Sequence, residues 1–149
     1  MRHKTIEEYI ETIFVLEQRH GRAQTGMIAA QMGVKPPSIT EMLRKLKRAG
    51  LVQYSSYNGA VLSVSGRKMA HELMQKHQVI ADLLEIFGVD RDTAEIDACQ
   101  IEHHVSSITV KKLERFVEFA RHDTGTAESM RRFRLQPVRT REVPVLKPE

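Results

Sequence analysis

Cys99, Glu102 and His103 stand at i, i+3 and i+4 in the stretch D-A-C-Q-I-E-H-H-V-S. On a helix that spacing puts all three on one face, with Glu95 one turn earlier. Thiolate, carboxylate and imidazole are the main protein ligands of first-row transition metals. The same pattern also fits a free thiol beside a charged helix end, where His103 and His104 complement the helix dipole. Glu8 and Glu11 lie one turn apart near the start of the chain. Carboxylates at that spacing can chelate a cation, and equally they make an ordinary wetted face. His77 follows Leu73 by four residues and precedes Ile80 by three, a position that suits a hydrogen-bonded core histidine as well as a ligand.

Helices must carry all of these groups. Residues 5–19 form the first, with Thr5 as cap and Glu8 three residues on, the capping-box spacing. Ile6, Tyr9, Ile10, Ile13, Phe14 and Leu16 make its apolar face, and Glu8 and Glu11 fall opposite. A long helix runs from Ser65-Gly66 to about Phe87, with Met69, Leu73, Ile80, Leu84 and Phe87 as its stripe. Asp90 or Asp92 caps a helix from Thr93 to about His104. Ser106 to Ala120 gives one more, with Val110, Leu113, Phe116 and Val117 inward. A short helix through Arg134 and a basic, proline-punctuated tail follow.

Between the first and the long helix lies a different kind of module. Thr25 opens a short helix with Ile28, Ala29 and Met32 at helical spacing, ended by Gly33. Pro36-Pro37 opens a second, with Ile39, Met42, Leu43 and Leu46 at i, i+3, i+4 and i+7. Gly33-Val34-Lys35 is the turn of a helix-turn-helix. Val52 to Tyr57 and Ala60 to Val64 flank Asn58-Gly59, a strong hairpin signal and a candidate wing.

Charge separates this module from the rest. Residues 21–70 hold eight Lys/Arg and one acid, a net +7, whereas the remainder carries 15 basic and 18 acidic groups. Clustered positive charge is the footprint of a surface that neutralises phosphates. The candidate DNA contacts are Thr25, Lys35, Pro36, Pro37, Ser38, Thr40, Glu41, Arg44, Lys45, Arg48 and Tyr57. The start of the second helix suits base edges: the prolines face thymine methyls, and Glu41 can accept from cytosine N4. Lys35, Arg44, Lys45 and Arg48 suit phosphates, and Tyr57 marks the wing tip.

No run of 18 or more apolar residues is present, and the N-terminus lacks the apolar segment of a signal peptide. A single cysteine cannot form an internal disulfide. Together these point to a cytoplasmic protein with no membrane partner. There is no H-E-x-x-H and no nucleophile elbow, so an enzyme and a small organic substrate are not expected.

Four stretches carry a resemblance: T-I-E-E-Y-I-E-T-I-F, K-P-P-S-I-T-E-M-L-R-K-L, K-H-Q-V-I-A-D-L-L-E-I-F-G-V and D-A-C-Q-I-E-H-H-V-S. In this order they resemble the metal-dependent repressors of the diphtheria toxin repressor and manganese transport regulator (DtxR/MntR) family. The resemblance implies Glu8, Glu11, His77, Cys99, Glu102 and His103 as metal ligands. It implies Mn(II) or Fe(II) as the activating divalent ion, a homodimer, and a palindromic operator in double-stranded DNA. Manganese-type members usually carry glutamate in place of Cys99, and iron-type members carry the cysteine but a methionine in place of Glu8. The chain mixes both patterns. Ala81 stands where the long iron-type members place a second-site acid, and too few residues follow Ala120 for their SH3-like domain.

The expected fold is mainly α with a small β-hairpin wing: a winged helix-turn-helix domain over 1–71, a helical metal-binding and dimerisation domain over 72–124, and a basic tail over 125–149. The expected function is a metal-activated repressor. A metal-independent winged-helix regulator, sensing a small ligand or redox state through Cys99, is the other reading.

Overall fold

The computed structural model describes residues 5–137. It contains seven α-helices and one hairpin among those residues: α1 (Ile6–His20), α2 (Thr25–Met32), α3 (Pro36–Arg48), β1 (Val52–Ser55), β2 (Gly59–Leu62), α4 (Val64–Ile86), α5 (Arg91–Ile101), α6 (Ser107–His122) and α7 (Thr124–Leu135). A one-turn 3₁₀ helix, Glu102–His104, follows α5. The mainly α fold with a hairpin wing is the one expected. Arg139, Arg141 and Lys147 of the expected basic tail lie outside the described residues.

Most of the helices begin where side chains satisfy their unpaired N–H groups. Thr5 Oγ1 accepts from the Glu8 amide while the Glu8 carboxylate accepts from the Thr5 amide, a complete capping box. The side chains of Ser63, Asp90, Ser106 and Asp123 each accept from one first-turn amide of α4 to α7, whereas α2 and α3 have no side-chain cap. Asp90, rather than Asp92, is the cap of α5.

The first core joins Tyr9, Ile10, Ile13 and Leu16 of α1 to Ile28, Ile39, Leu43 and Leu46 of the helix-turn-helix, Val52 and Leu62 of the hairpin, and Ala70 and Leu73 of α4. Ile6, expected on the inner face, is 46% exposed, because it lies in the first turn beyond this core. A second, smaller core joins Ile80 and Ala81 of α4 to Ala98 of α5, with Leu84 against it. Phe87, also expected inward, is 43% exposed, and instead meets Phe116 and Phe133 ring to ring. Helix α4 runs through both cores without a break.

The hairpin turn differs from a two-residue Asn-Gly turn. Ser55 pairs with Gly59, so the loop is Ser56-Tyr57-Asn58 and Gly59 is already strand. Gly59 alone in this turn has positive φ, 73°. A three-residue loop followed by a left-handed residue is another common hairpin solution. The glycine is also needed for space, since a Cβ there would lie 2.7 Å from the Ala23 carbonyl oxygen. Ala23 and Ala60 exchange backbone hydrogen bonds of 2.8 Å, which attach the wing to the segment after α1.

Candidate metal centre and DNA-binding face

The first turn and a half of α1, the middle of α4 and the end of α5 converge. Glu11 of α1 meets Glu102 and His103, and one donor atom from each lies within 4.8 Å of the other two. His103 Nε2 is 3.7 Å from Glu11 Oε2 and 3.4 Å from Glu102 Oε1. His77 of α4 joins them, its Nδ1 3.0 Å from Glu102 Oε2. The site is enclosed: the side chains of Glu102 and His103 are 1% and 3% exposed.

Two carboxylates in so small and dry a space cannot both ionise cheaply. Burial, and then the neighbouring Glu11, push the Glu102 pKa up to about 8. Burial also raises that of Glu11, partly offset by His103. His103 Nε2 is buried and has no hydrogen-bond partner among the described residues. Such an orphan costs about 1–3 kcal/mol when left unpaired. A buried imidazole nitrogen facing two carboxylates is a donor set that a divalent cation would satisfy, so these residues fit a metal. Carboxylate oxygens with imidazole nitrogen suit Mn(II) and Fe(II).

The other expected ligands sit differently. Glu8 is engaged in the capping box at the start of α1. Cys99 is exposed and outside the Glu11–Glu102–His103 cluster. The i, i+3 and i+4 spacing of Cys99, Glu102 and His103 presumes one continuous α-helix. The chain instead tightens to a 3₁₀ turn over Glu102–His104. The tighter pitch turns His103, four residues on, away from the direction of Cys99.

Two residues outside the expected ligand set touch the histidines. Glu7 Oε2 lies 2.8 Å from His103 Nδ1, and Glu95 Oε2 lies 2.7 Å from His77 Nε2. Signals for both were present. Glu7 is one turn before Glu11, and Glu95 is one turn before Cys99.

Helix α3 presents the second candidate surface. Ile39, Leu43 and Leu46 are buried, while Lys35, Pro36, Pro37, Ser38, Glu41, Arg44, Lys45 and Arg48 are exposed. Thr40 is half-buried and donates its hydroxyl to the Pro36 carbonyl at 3.2 Å. Glu41 and Lys45 pair across one turn at 3.4 Å. Thr25, half-buried, is the first residue of α2. Tyr57 stands 96% exposed at the wing tip.

The wing is braced by residues that sequence reasoning did not assign to it. Lys47 donates to the Tyr54 carbonyl at 3.0 Å, and Arg22 donates to the Asn58 carbonyl at 2.8 Å. Glu17 of α1 accepts from the Leu62 amide at 2.9 Å and from Arg67 of α4. Helix α1 therefore reaches the metal centre near its start and the wing near its end.

Two family descriptions match successive parts of the chain. Residues 1–60 match the family described as iron dependent repressor, N-terminal DNA binding domain, and residues 63–130 match its metal binding and dimerisation domain. The HTH-type transcriptional regulator MntR of Geobacillus kaustophilus (strain HTA426) is 32% identical over 127 residues, covering 85% of this chain and 90% of that protein. MntR of Bacillus subtilis (strain 168) is 31% identical over 127 residues, covering 85% and 89%. The solved structure of ScaR with bound Cd2+ is 30% identical, with a TM-score of 0.66 over 78% of this chain and 55% of that one. Both halves match in order, and the curated relatives align over nearly their whole length. The chain belongs to the DtxR/MntR family of metal-dependent transcriptional regulators, which are DNA-binding proteins and not enzymes.

Proposed function

We propose that the protein is a homodimeric repressor activated by Mn(II) or Fe(II), acting in the cytoplasm on genes of manganese or iron homeostasis. The observation that carries this reading is the buried, unpartnered His103 Nε2 facing Glu11 and Glu102. It lies where α1 of the DNA-binding half meets the dimerisation half. Glu11, His77, Glu102 and His103 are the proposed ligands. Glu8 and Cys99 are the remaining members of the expected set. The ion supplies positive charge that allows Glu11 and Glu102 to be ionised together. Without it, Glu102 keeps a proton or repels Glu11, and the contact between α1 and the α4–α5 pair is weakened. Holding α1 firmly also holds α2, α3 and the wing, which share its core.

The proposed division is a DNA-binding domain over 1–71, a metal-binding and dimerisation domain over 72–124, and a basic C-terminal segment over 125–149. The second domain leaves Met74, Ile96, Ile101 and Ile108 more than a third exposed, apolar surface available to a second copy. A dimer with two reading heads recognises an imperfect palindrome with half-sites about one helical turn or more apart. In each head, Pro36, Pro37, Ser38, Thr40 and Glu41 face base edges. Thr25, Lys35, Arg44, Lys45, Arg48 and Tyr57 hold the backbone.

The test is anaerobic DNA binding to the chain's own promoter region, titrated with Mn(II), Fe(II) or Zn(II) against a chelator. Tightening of ten-fold or more with Mn(II) or Fe(II), about 1.4 kcal/mol of coupling, is the expected result. Affinity that ignores every ion but responds to peroxide would establish the Cys99 sensor instead.

A further inference from the structure

Each histidine of the metal centre lies between an inner and an outer carboxylate. For His103 the outer group is Glu7, 2.8 Å from Nδ1, and the inner ones are Glu11 and Glu102, facing Nε2. For His77 the outer group is Glu95, 2.7 Å from Nε2, and the inner one is Glu102, 3.0 Å from Nδ1. The outer carboxylates are wet, with side chains 36% and 40% exposed, whereas Glu102 is 1% exposed. The ring nitrogens are used in opposite senses: Nε2 faces inward in His103 and Nδ1 faces inward in His77.

A neutral imidazole has one N–H and one lone pair. Which nitrogen carries the hydrogen is decided by what the other nitrogen meets. Metal-binding histidines characteristically donate their second N–H to a carboxylate or carbonyl. We propose that Glu7 and Glu95 are positioning residues that fix opposite tautomers, Nδ1–H on His103 and Nε2–H on His77, so that both lone pairs point at the Glu11–Glu102 carboxylates. The proposal rests on the metal-centre reading above and deepens it. Neither residue is a ligand in this arrangement. Each holds a ligand ring in the orientation and tautomer that leaves a lone pair free for an ion.

Two features of the chain make this arrangement specific. Glu7 and Glu11 are one turn apart on α1, so one helix supplies both the inner and the outer partner of the His103 ring. Glu95 sits on α5 seven residues before Glu102, two turns along that face, and the His77 ring fits between them. The inward nitrogen of His103 has no hydrogen-bond partner among the described residues, so nothing there competes for it.

The experiment uses the full chain with Glu7→Ala, Glu7→Gln, Glu95→Ala and Glu95→Gln. Ring-nitrogen NMR of the metal-free proteins reads the tautomers, and calorimetry with Mn(II) reads affinity and stoichiometry. Thermal unfolding in chelator confirms that each variant is folded. The wild type is expected to show Nδ1–H on His103 and Nε2–H on His77. Each alanine variant is expected to lose the preference at its own histidine only and to bind Mn(II) roughly 10–100-fold more weakly, with the number of ions per subunit unchanged. Each glutamine variant keeps an acceptor oxygen and should recover most of the loss. Unchanged tautomers or unchanged Mn(II) affinity in the alanine variants would overturn the proposal. So would equal losses for alanine and glutamine, or a lost ion, since either marks a direct ligand. Failure of the wild type itself to bind Mn(II) would instead overturn the metal-centre reading.

Discussion

Glu102→Gln should make the metal-free protein more stable, increasingly so as pH rises above 4.5. The Glu102 side chain is 1% exposed, and its pKa rises from 4.5 to about 8, through burial first and the nearby Glu11 second. Because folding raises this pKa, the folded state holds a proton that the unfolded chain has released. Stability is therefore unaffected below the unfolded pKa and falls as pH climbs from 4.5 toward 8. Each unit corresponds to about 1.4 kcal/mol. Going from pH 5 to pH 7 should thus cost the wild type roughly 2–3 kcal/mol through this one residue. Glutamine is close in shape to the protonated acid and does not titrate, so it avoids that cost. Urea unfolding in chelator at several pH values, at one fixed protein concentration, measures the difference. Wild-type and variant curves that run parallel between pH 5 and pH 7 would refute the reasoning. Saturating Mn(II) should then reverse the order, because the wild type gains about 4 kcal/mol at a thousand times its Kd and the variant gains little.

Lys45→Ala should weaken binding to all DNA sequences alike and lower the salt slope by about one unit, since each phosphate contact releases roughly one counterion; an unchanged slope in filter or anisotropy titrations would remove Lys45 from the phosphate contacts. Gly66→Ala should destabilise the fold by about 3 kcal/mol or more, because the added Cβ would fall 2.1 Å from the Leu51 carbonyl oxygen, and denaturant midpoints read this directly. Glu17→Ala should cost about 2–3 kcal/mol by removing the acceptor for Leu62 and Arg67. Its loss should also weaken DNA binding more than Mn(II) binding, which parallel titrations would show. Mn(II) affinity of the wild type should rise with pH up to about 8, as the proton on Glu102 is released; a flat profile between pH 6 and 8 would show that no proton is displaced.

The head was legible because its signals are local. Pro36-Pro37, the Ile39-Leu43-Leu46 stripe and the hairpin residues each specify their element within a few positions, and the structure places helix, turn and wing there. The metal centre was legible only in part. Glu11, His77, Glu102 and His103 come from three separate helices, and single-helix spacing does not show which of them meet. Cys99, Glu102 and His103 share one face at a uniform 3.6-residue pitch, and the 3₁₀ turn shifts the phase of His103. Glu7 shows in the sequence only as one turn before Glu11, and Glu95 only as one turn before Cys99, because their histidine partners lie 96 and 18 residues away in the chain. Contacts of that kind depend on how helices pack, which periodicity does not encode.

Leu73, in the core of the reading head, and His77, in the metal centre, are four residues apart on α4. The covalent link between the two halves is thus a single turn of one helix about 35 Å long, at 1.5 Å per residue over its 23 residues. One residue inserted into that turn would swing everything beyond it by about 100°, and four would swing it by about 40° while adding about 6 Å. Transplanting this head onto another dimerisation unit is therefore a question of helical phase rather than of tether length. Natural exchange of such halves by recombination would be limited to junctions that preserve the rotation.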